Sequence, residues 1–348
     1  MERPMELKGI NKSGVAPWEK LLDGVSSDIE LLTHYNASTT EKARRLLRQN
    51  AARRARIISG GTDILRILRI KYLPELPATL VNIKTIPALT YIKEESGTLK
   101  IGALTRLSDI EHSELIRTQC PILAETAAVV ASPQVRNMAT IAGSICQDPC
   151  CWYYRADKNY FHCWRKGGDS CPAQEGDNRW MFTIFASPQG DECHAACQSD
   201  MAITLAALGA SVKTTRRTIP LAEFYTLNPP GNVLEADELI TEIQVPSLAP
   251  QTRVKYLKFA IRKSIDHPLV SVACITDDRE TRIAIGGVSL SPYRPKEAED
   301  LIMGKKPDSE LAQKAGELAV RNATPMSMND WKVQVAKTLV ARAILGID

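Results

Sequence analysis

The chain reads as an α+β protein of two successive units, and three observations predict this. Beyond Pro250, strands come first (Lys255 to Ile261, Leu269 to Thr276, Arg282 to Ser289) and helices last (Ser309 to Val320, Asp330 to Leu345), the order of an α+β domain. Upstream, two loops of small residues, Ser59-Gly60-Gly61-Thr62-Asp63 and Thr140-Ile141-Ala142-Gly143-Ser144, lie far apart in the chain. Between the second loop and a helix starting at Asp200, about fifty residues carry seven of the nine cysteines. A length of 348 residues is too much for one small core and fits two or three domains.

The elements follow in order. Residues 1–26 form an N-terminal extension. Ser38-Thr39-Thr40-Glu41 fits a capping box for a helix whose inward face is Ala43, Leu46 and Leu47. A strand, Ala55 to Ile58, runs into the first glycine loop. Ile64 to Ile70 and Thr79 to Ile83 read as further strands, and Thr98 to Ile101 as one leading into Gly102-Ala103-Leu104-Thr105. Pro121 to Ala131 reads as a helix. Ser199 is the expected N-cap of a helix, Asp200 to Leu208, that Gly209 ends. Short strands and turns fill Thr218 to Pro246, broken at Asn228-Pro229-Pro230-Gly231. The domains are then 27–225, with a cysteine-rich insertion at about 146–198, and 250–348.

Composition excludes several classes. With 44% hydrophobic and 24% charged residues the chain is an ordinary globular one. No apolar run is long enough to span a bilayer, and Met1 to Lys12 shows no secretory signal, so no membrane and a cytoplasmic location are expected. In that reducing compartment, nine cysteines are free thiols or metal ligands rather than a disulfide framework. Forty-four basic against 40 acidic residues give a net charge of +4, too balanced for a polyanionic partner. Six arginines between Arg44 and Arg56 lack the aromatic interleaving of a nucleic-acid module, so no nucleic acid is expected and a solvated helix face is the reading.

A dinucleotide cofactor needs several backbone N–H donors brought up to its pyrophosphate, which glycine allows because it lacks a Cβ and tolerates positive φ. Neither loop is a G-x-G-x-x-G or a P-loop. As a pair, however, Ile57 to Ile64 and Val135 to Ser144 resemble the two FAD loops of the flavoprotein subunit of the molybdenum hydroxylases, the xanthine dehydrogenase group. The likeness continues at Ser199-Asp200, Leu239 to Ile243, Lys258 and Gly286-Gly287-Val288. It implies a two-part FAD-binding domain of the PCMH (vanillyl-alcohol-oxidase-like) type, then a C-terminal domain like that of the CO dehydrogenase flavoprotein, with a three-stranded antiparallel sheet and helices. It further implies that Ile57, Ile58, Ser59, Gly60, Gly61, Thr62, Asp63 and Ile64, with Thr140, Ile141, Ala142, Gly143 and Ser144, wrap the FAD diphosphate and ribityl chain. Asp200 would accept a hydrogen bond from the cofactor, and Ile240 and Lys258 would lie near its isoalloxazine. Ala142 and Ser144 depart from the family's usual glycine and asparagine, and the alanine fits only with negative φ.

The insertion holds Cys146, Cys150, Cys151, Cys163, Cys171, Cys193 and Cys197. An iron–sulfur cubane needs four converging thiolates. Zinc accepts four as well, usually from paired C-x₂₋₄-C knuckles, and spacing alone leaves both open. Cys151-Trp152-Tyr153-Tyr154-Arg155, then Cys163, Gly167-Gly168-Asp169-Ser170-Cys171 and Cys193, resemble the insertion that carries an extra [4Fe-4S] cluster in the 4-hydroxybenzoyl-CoA reductase and bacterial aldehyde oxidoreductase branches. This resemblance implies Cys151, Cys163, Cys171 and Cys193 as ligands. Cys150 rivals Cys151, and Cys197 rivals Cys193. Cys120, Cys146 and Cys274 read as small buried side chains. Arg155, Arg165 and Lys166 either offset the cluster's charge or are solvated loop charges.

The expected function is that of an electron-transfer FAD and [4Fe-4S] subunit within a heteromeric molybdopterin enzyme. Its expected partners are a large molybdopterin-binding subunit, a small [2Fe-2S] subunit and an external one-electron carrier such as ferredoxin. No catalytic residue is assigned, since substrate chemistry falls to a partner. The competing class is a self-contained FAD oxidase or dehydrogenase with structural zinc, for which the five histidines form no visible constellation.

Overall fold

The computed structural model describes residues 32–185, 192–226 and 231–347; the N-terminal extension and the Asn228-Pro229-Pro230 break lie outside the described residues. A parallel sheet comes first, with β3 (Thr79–Asn82) between β1 (Thr33–Asn36) and β2 (Arg56–Ile58). α1 (Thr40–Gln49) is capped by Thr39 and not Ser38, the Thr39 hydroxyl accepting the Lys42 amide at 3.1 Å. Arg44 and Arg48 of α1 meet Asp237, which Arg216 also grips. These arginines therefore fasten the first sheet to the next unit instead of forming only a solvated face.

Ile64 to Ile70 is a helix, α2 (Ile64–Ile70), where a strand was expected. Ile64, Ile67 and Ile70 recur every third residue and pack together into one apolar cluster, which is a helical face. Arg66 and Arg69 fall three apart and not two, so the spacing is that of a helix and not the alternation of a strand.

The second sheet is antiparallel, in the order β4 (Ile92–Glu95), β5 (Thr98–Gly102), β8 (Ile240–Pro246), β6 (Ser211–Thr214) and β7 (Thr218–Pro220). The short helices α3 (Leu107–His112), α4 (Glu114–Gln119), α5 (Pro121–Ala128), α6 (Pro133–Arg136) and α7 (Ile141–Ile145) lie between β5 and the insertion, and α8 (Asp200–Ala207) and α9 (Leu221–Phe224) after it. Ile101, Leu123, Met201, Ile203 and Ile243 centre the largest core. Ser199 caps α8 as expected, accepting the Ala202 amide at 3.2 Å, and Gly209 leaves the helix at φ +67°.

In the C-terminal unit β9 (Arg253–Phe259), β10 (Val270–Thr276) and β11 (Thr281–Gly286) form a three-stranded antiparallel meander. α10 (Lys296–Ile302), α11 (Ser309–Val320) and α12 (Trp331–Leu345) cover it, burying Val272, Ile283, Ile285, Ala315 and Val340 in a second core. The mixed helix and sheet fold with strands before helices is thus as expected. No described helix is long and apolar enough to cross a membrane.

The insertion is clamped onto this C-terminal unit. Lys332 of α12 is fully buried, and its ammonium donates to the carbonyls of Trp180 at 3.1 Å, Phe182 at 2.7 Å and Gly287. Burial draws its pKa down to about 7, and three carbonyl acceptors oppose that by using all three ammonium protons. Replacing Lys332 with Met leaves these carbonyls without that donor. The expected cost is about 3 kcal/mol of unfolding free energy, checked by urea denaturation, and an unchanged midpoint would contradict the clamp.

Candidate functional site

Two glycine loops meet at the junction of the first two sheets. The first leaves β2 with Gly61 at φ +76°, a conformation that side chains rarely adopt. A Cβ on Gly60 would sit 1.9 Å from the Met138 carbonyl oxygen, so only glycine lets the first loop approach the second this closely. The hydroxyls of Ser59 and Thr140 stand 3.2 Å apart, across 81 residues of sequence.

Thr140 caps α7 by accepting the Gly143 amide at 3.2 Å, while the Ile141 and Ala142 amides bond back to Thr105 and Ala103 after β5. Ala142 lies inside α7 and is not among the residues of positive φ, so its methyl is accommodated. Ile58 and Ile141 are buried anchors, Ile57 and Ile64 are half-buried, and Thr62 and Gly143 are open to solvent. Among the described residues, no acceptor is paired with the backbone N–H groups of Gly60, Gly61 or Thr62. Unpaired donors beside glycines, lined by hydroxyls, form a cradle for an anionic group such as a diphosphate.

Asp200 and Lys258 come together beside this cradle. Ser199, next to Asp200, donates its hydroxyl to the Ser144 carbonyl at 2.8 Å, linking α8 to the second loop. The buried Asp200 carboxylate takes the Lys258 ammonium at 3.2 Å and the Tyr256 hydroxyl, and Lys258 also reaches the Val129 carbonyl at 2.8 Å. Burial pushes the Asp200 carboxyl up, and Lys258 and Tyr256 pull it back. The pair joins α8 to β9. Asp200→Ala is expected to lower unfolding free energy by about 3–5 kcal/mol, because it strands a largely buried lysine. Chemical denaturation reads this, and a loss below about 1 kcal/mol would show that the pair carries little. Ile240 is buried in the largest core, just before the Thr241 carbonyl that accepts the Ala103 amide.

Cys151, Cys163, Cys171 and Cys193 all fall in one further buried cluster, with Tyr72, Tyr153, Tyr154 and Phe182 around them. Glycines fold the segment back on itself: Gly167 has φ +92°, and a Cβ on Gly168 would lie 2.0 Å from the His162 carbonyl. Backbone N–H groups reach the sulfurs of Cys151 and Cys193. Tyr154 donates to Cys151 at 3.5 Å and Ala195 to Cys193 at 3.4 Å, while the Lys166 and Gly168 amides bond to the Cys163 carbonyl. Burial raises the thiol pKa values of Cys151, Cys163 and Cys171, and the neighbouring cysteines add to it. Among the described residues, no group of three or more His, Cys, Asp or Glu side chains is placed to hold a metal ion.

The rival cysteines face elsewhere. Cys150 places its sulfur 3.1 Å from His267 Nε2, and Cys146 and Cys197 pack against the largest core. Cys120 and Cys274 are buried, their thiols pushed up to about 12 by desolvation. The three cations of the insertion are not solvated loop charges. Arg165 Nε lies 3.4 Å from the Cys193 sulfur, and Lys166 donates to Asn159 and the Phe161 carbonyl at 3.0 Å each. Arg155 is buried and pairs with Asp63 of the first loop at 2.6 Å. Asp148, which accepts from Tyr72 and Tyr154 at 3.1 and 3.2 Å, carried no sequence signal.

Residues 29–248 match the FAD binding domain in molybdopterin dehydrogenase, and residues 255–347 the CO dehydrogenase flavoprotein C-terminal domain. The chain belongs to the FAD-binding medium subunits of the molybdenum hydroxylase family. It is 32% identical over 302 residues to the aldehyde oxidoreductase FAD-binding subunit PaoB of Escherichia coli (strain K12), covering 83% of this chain and 90% of that one. It is 26% identical over 299 residues to the carbon monoxide dehydrogenase medium chain of Hydrogenophaga pseudoflava, covering 83% and 88%. The solved carbon monoxide dehydrogenase from Hydrogenophaga pseudoflava superposes with a TM-score of 0.71 at 24% identity, over 90% of this chain and 96% of that one, and shows the shared fold. As a medium subunit the chain is an FAD-binding component of an oxidoreductase.

Proposed function

We propose that this subunit passes electrons between FAD and a [4Fe-4S] cluster held by Cys151, Cys163, Cys171 and Cys193. The observation that carries the reading is the joint burial of those four cysteines in one core, with backbone N–H groups on the sulfurs of Cys151 and Cys193. Iron–sulfur thiolates are stabilised by such N–H donors, whereas four buried neutral thiols have little need of them. A cubane keeps four sulfurs farther apart than one ion does, because irons and sulfides stand between them. Four cysteines in one core match the ligand number of a cubane.

FAD supplies two-electron chemistry divisible into single steps, and an iron–sulfur cluster supplies single-electron exchange. The protein's part is to hold both. The amides of Gly60, Gly61 and Thr62, with the Ser59, Thr62 and Thr140 hydroxyls, bind the diphosphate. Ile57, Ile58, Ile64, Ile141, Ala142, Gly143 and Ser144 shape the same groove. Asp200 and Lys258, already paired, border the flavin side, with Ile240 packed behind. Arg165, against Cys193, offsets thiolate charge, and the aromatic wall of Tyr153, Tyr154 and Phe182 keeps water from the sulfurs.

In this reading the chain works in the cytoplasm within a heteromer. A large molybdopterin-binding subunit selects the substrate, an aldehyde to oxidise or an aromatic thioester to reduce. A small [2Fe-2S] subunit connects it to FAD, and the extra cluster faces an external carrier such as ferredoxin. Anaerobic co-purification with the neighbouring chains tests this. A large molybdopterin chain and a small iron–sulfur chain should accompany the subunit, whereas a lone chain containing zinc and no sulfide would contradict the reading.

A further inference from the structure

The insertion and the flavin loop are joined at one point by a buried cation, and this juxtaposition has a consequence for electron transfer. Arg155 follows Cys151 by one helical turn, and its own amide donates to the Cys151 carbonyl at 2.9 Å. Its guanidinium makes three hydrogen bonds: to the Pro149 carbonyl at 2.8 Å, the Asp148 carbonyl at 2.7 Å and the Asp63 carboxylate at 2.6 Å. Its side chain is 6% exposed, and it stacks over the Tyr72 ring at 5.6 Å. The other oxygen of Asp63 accepts the Asp148 amide at 2.9 Å. Asp63 closes the first glycine loop, directly after Gly60-Gly61-Thr62. One side chain therefore grips the segment leading into Cys151 and the end of the flavin loop together.

Resting on the functional reading above, we infer that Arg155 is a positioning residue that sets the separation between FAD and the cluster. Electron tunnelling falls off exponentially with that separation, so small displacements of one site against the other change the rate steeply. The planar fork of arginine reaches two carbonyls and a carboxylate at once; a lysine keeps the charge but reaches fewer acceptors. This separates geometry from charge.

The test uses the complex purified with its partner chains, in wild-type, Arg155→Lys, Arg155→Met and Asp63→Asn forms. Flavin-to-cluster electron transfer is followed by pulse radiolysis, with FAD, iron and sulfide contents and both midpoint potentials measured on the same samples. Hydrogen–deuterium exchange over residues 148–155 gives a readout independent of either cofactor. The expected result is a transfer rate roughly tenfold to a hundredfold lower in both Arg155 variants. Arg155→Lys keeps full cofactor contents and unchanged potentials, and exchange at 148–155 is faster. Asp63→Asn, which keeps shape but removes the charge, should fall between wild type and Arg155→Lys. Wild-type rates in the Arg155 variants overturn the inference, as does loss of iron from Arg155→Lys, which would make the residue a support for the cluster alone. Wild-type complex without iron would instead overturn the functional reading itself.

Discussion

Replacing Cys171 with serine is expected to remove the proposed cluster's absorbance and to leave FAD bound. Serine is nearly the same size, but its hydroxyl is a poorer iron ligand than a thiolate, so the site loses one of four anchors. Cys171 is buried in the same apolar cluster as Cys163 and Cys193. A hydroxyl there also gains little from water. The flavin loops do not depend on this residue, because their contacts run through Gly60 and Met138 and through Ser59 and Thr140. Iron should fall from about four per chain toward zero while the FAD content stays at the wild-type value. Joint loss of both cofactors would mean that the two sites are not separable, and retained iron would remove Cys171 from the ligand set. Cys150→Ser is the matched control, since that sulfur faces His267, and it should keep both cofactors.

Gly60→Ala is expected to weaken FAD binding. A single methyl would lie 1.9 Å from the Met138 carbonyl oxygen, where a backbone atom cannot swing aside as a flexible side chain can. The loops must part by about 1 Å, and overpacking of this kind costs about 1–3 kcal/mol. If that strain falls on the bound state, affinity for FAD drops about tenfold to hundredfold, read by titrating flavin into deflavinated protein. Gly61→Val acts through the backbone instead, placing a branched residue at φ +76°. Gly97→Ala separates strain from cradle damage, because Gly97 has φ +73° with nothing within 4 Å. Normal FAD affinity in Gly60→Ala would show that the close approach of the loops is dispensable.

Much of this was legible in the sequence where chemistry is local. The Ser199 cap, the α11 boundaries and the strand order of the C-terminal unit follow from side-chain pattern and capping, which act within a few residues. The two glycine loops stood out as small-residue turns, and the structure brings them together and buries Cys151, Cys163, Cys171 and Cys193 in one cluster. The segment Ile64 to Ile70 misled because arginines interrupt its apolar residues, although their spacing of three is the helical one. Pairings across long stretches of chain were illegible. Asp63 and Arg155 stand 92 residues apart, and Arg44 and Asp237 stand 193 apart. Each looks like a surface charge until the fold brings its partner. Lys332 is the extreme case, a lysine in a helix that became a buried clamp because three carbonyls from distant turns point at it.

Iron and acid-labile sulfide, counted against FAD in anaerobically purified protein, address the central claim most directly. About four irons and four sulfides per FAD are the expected values. One zinc per chain with no sulfide, or flavin with no metal at all, would contradict the pairing of cluster and flavin on this subunit.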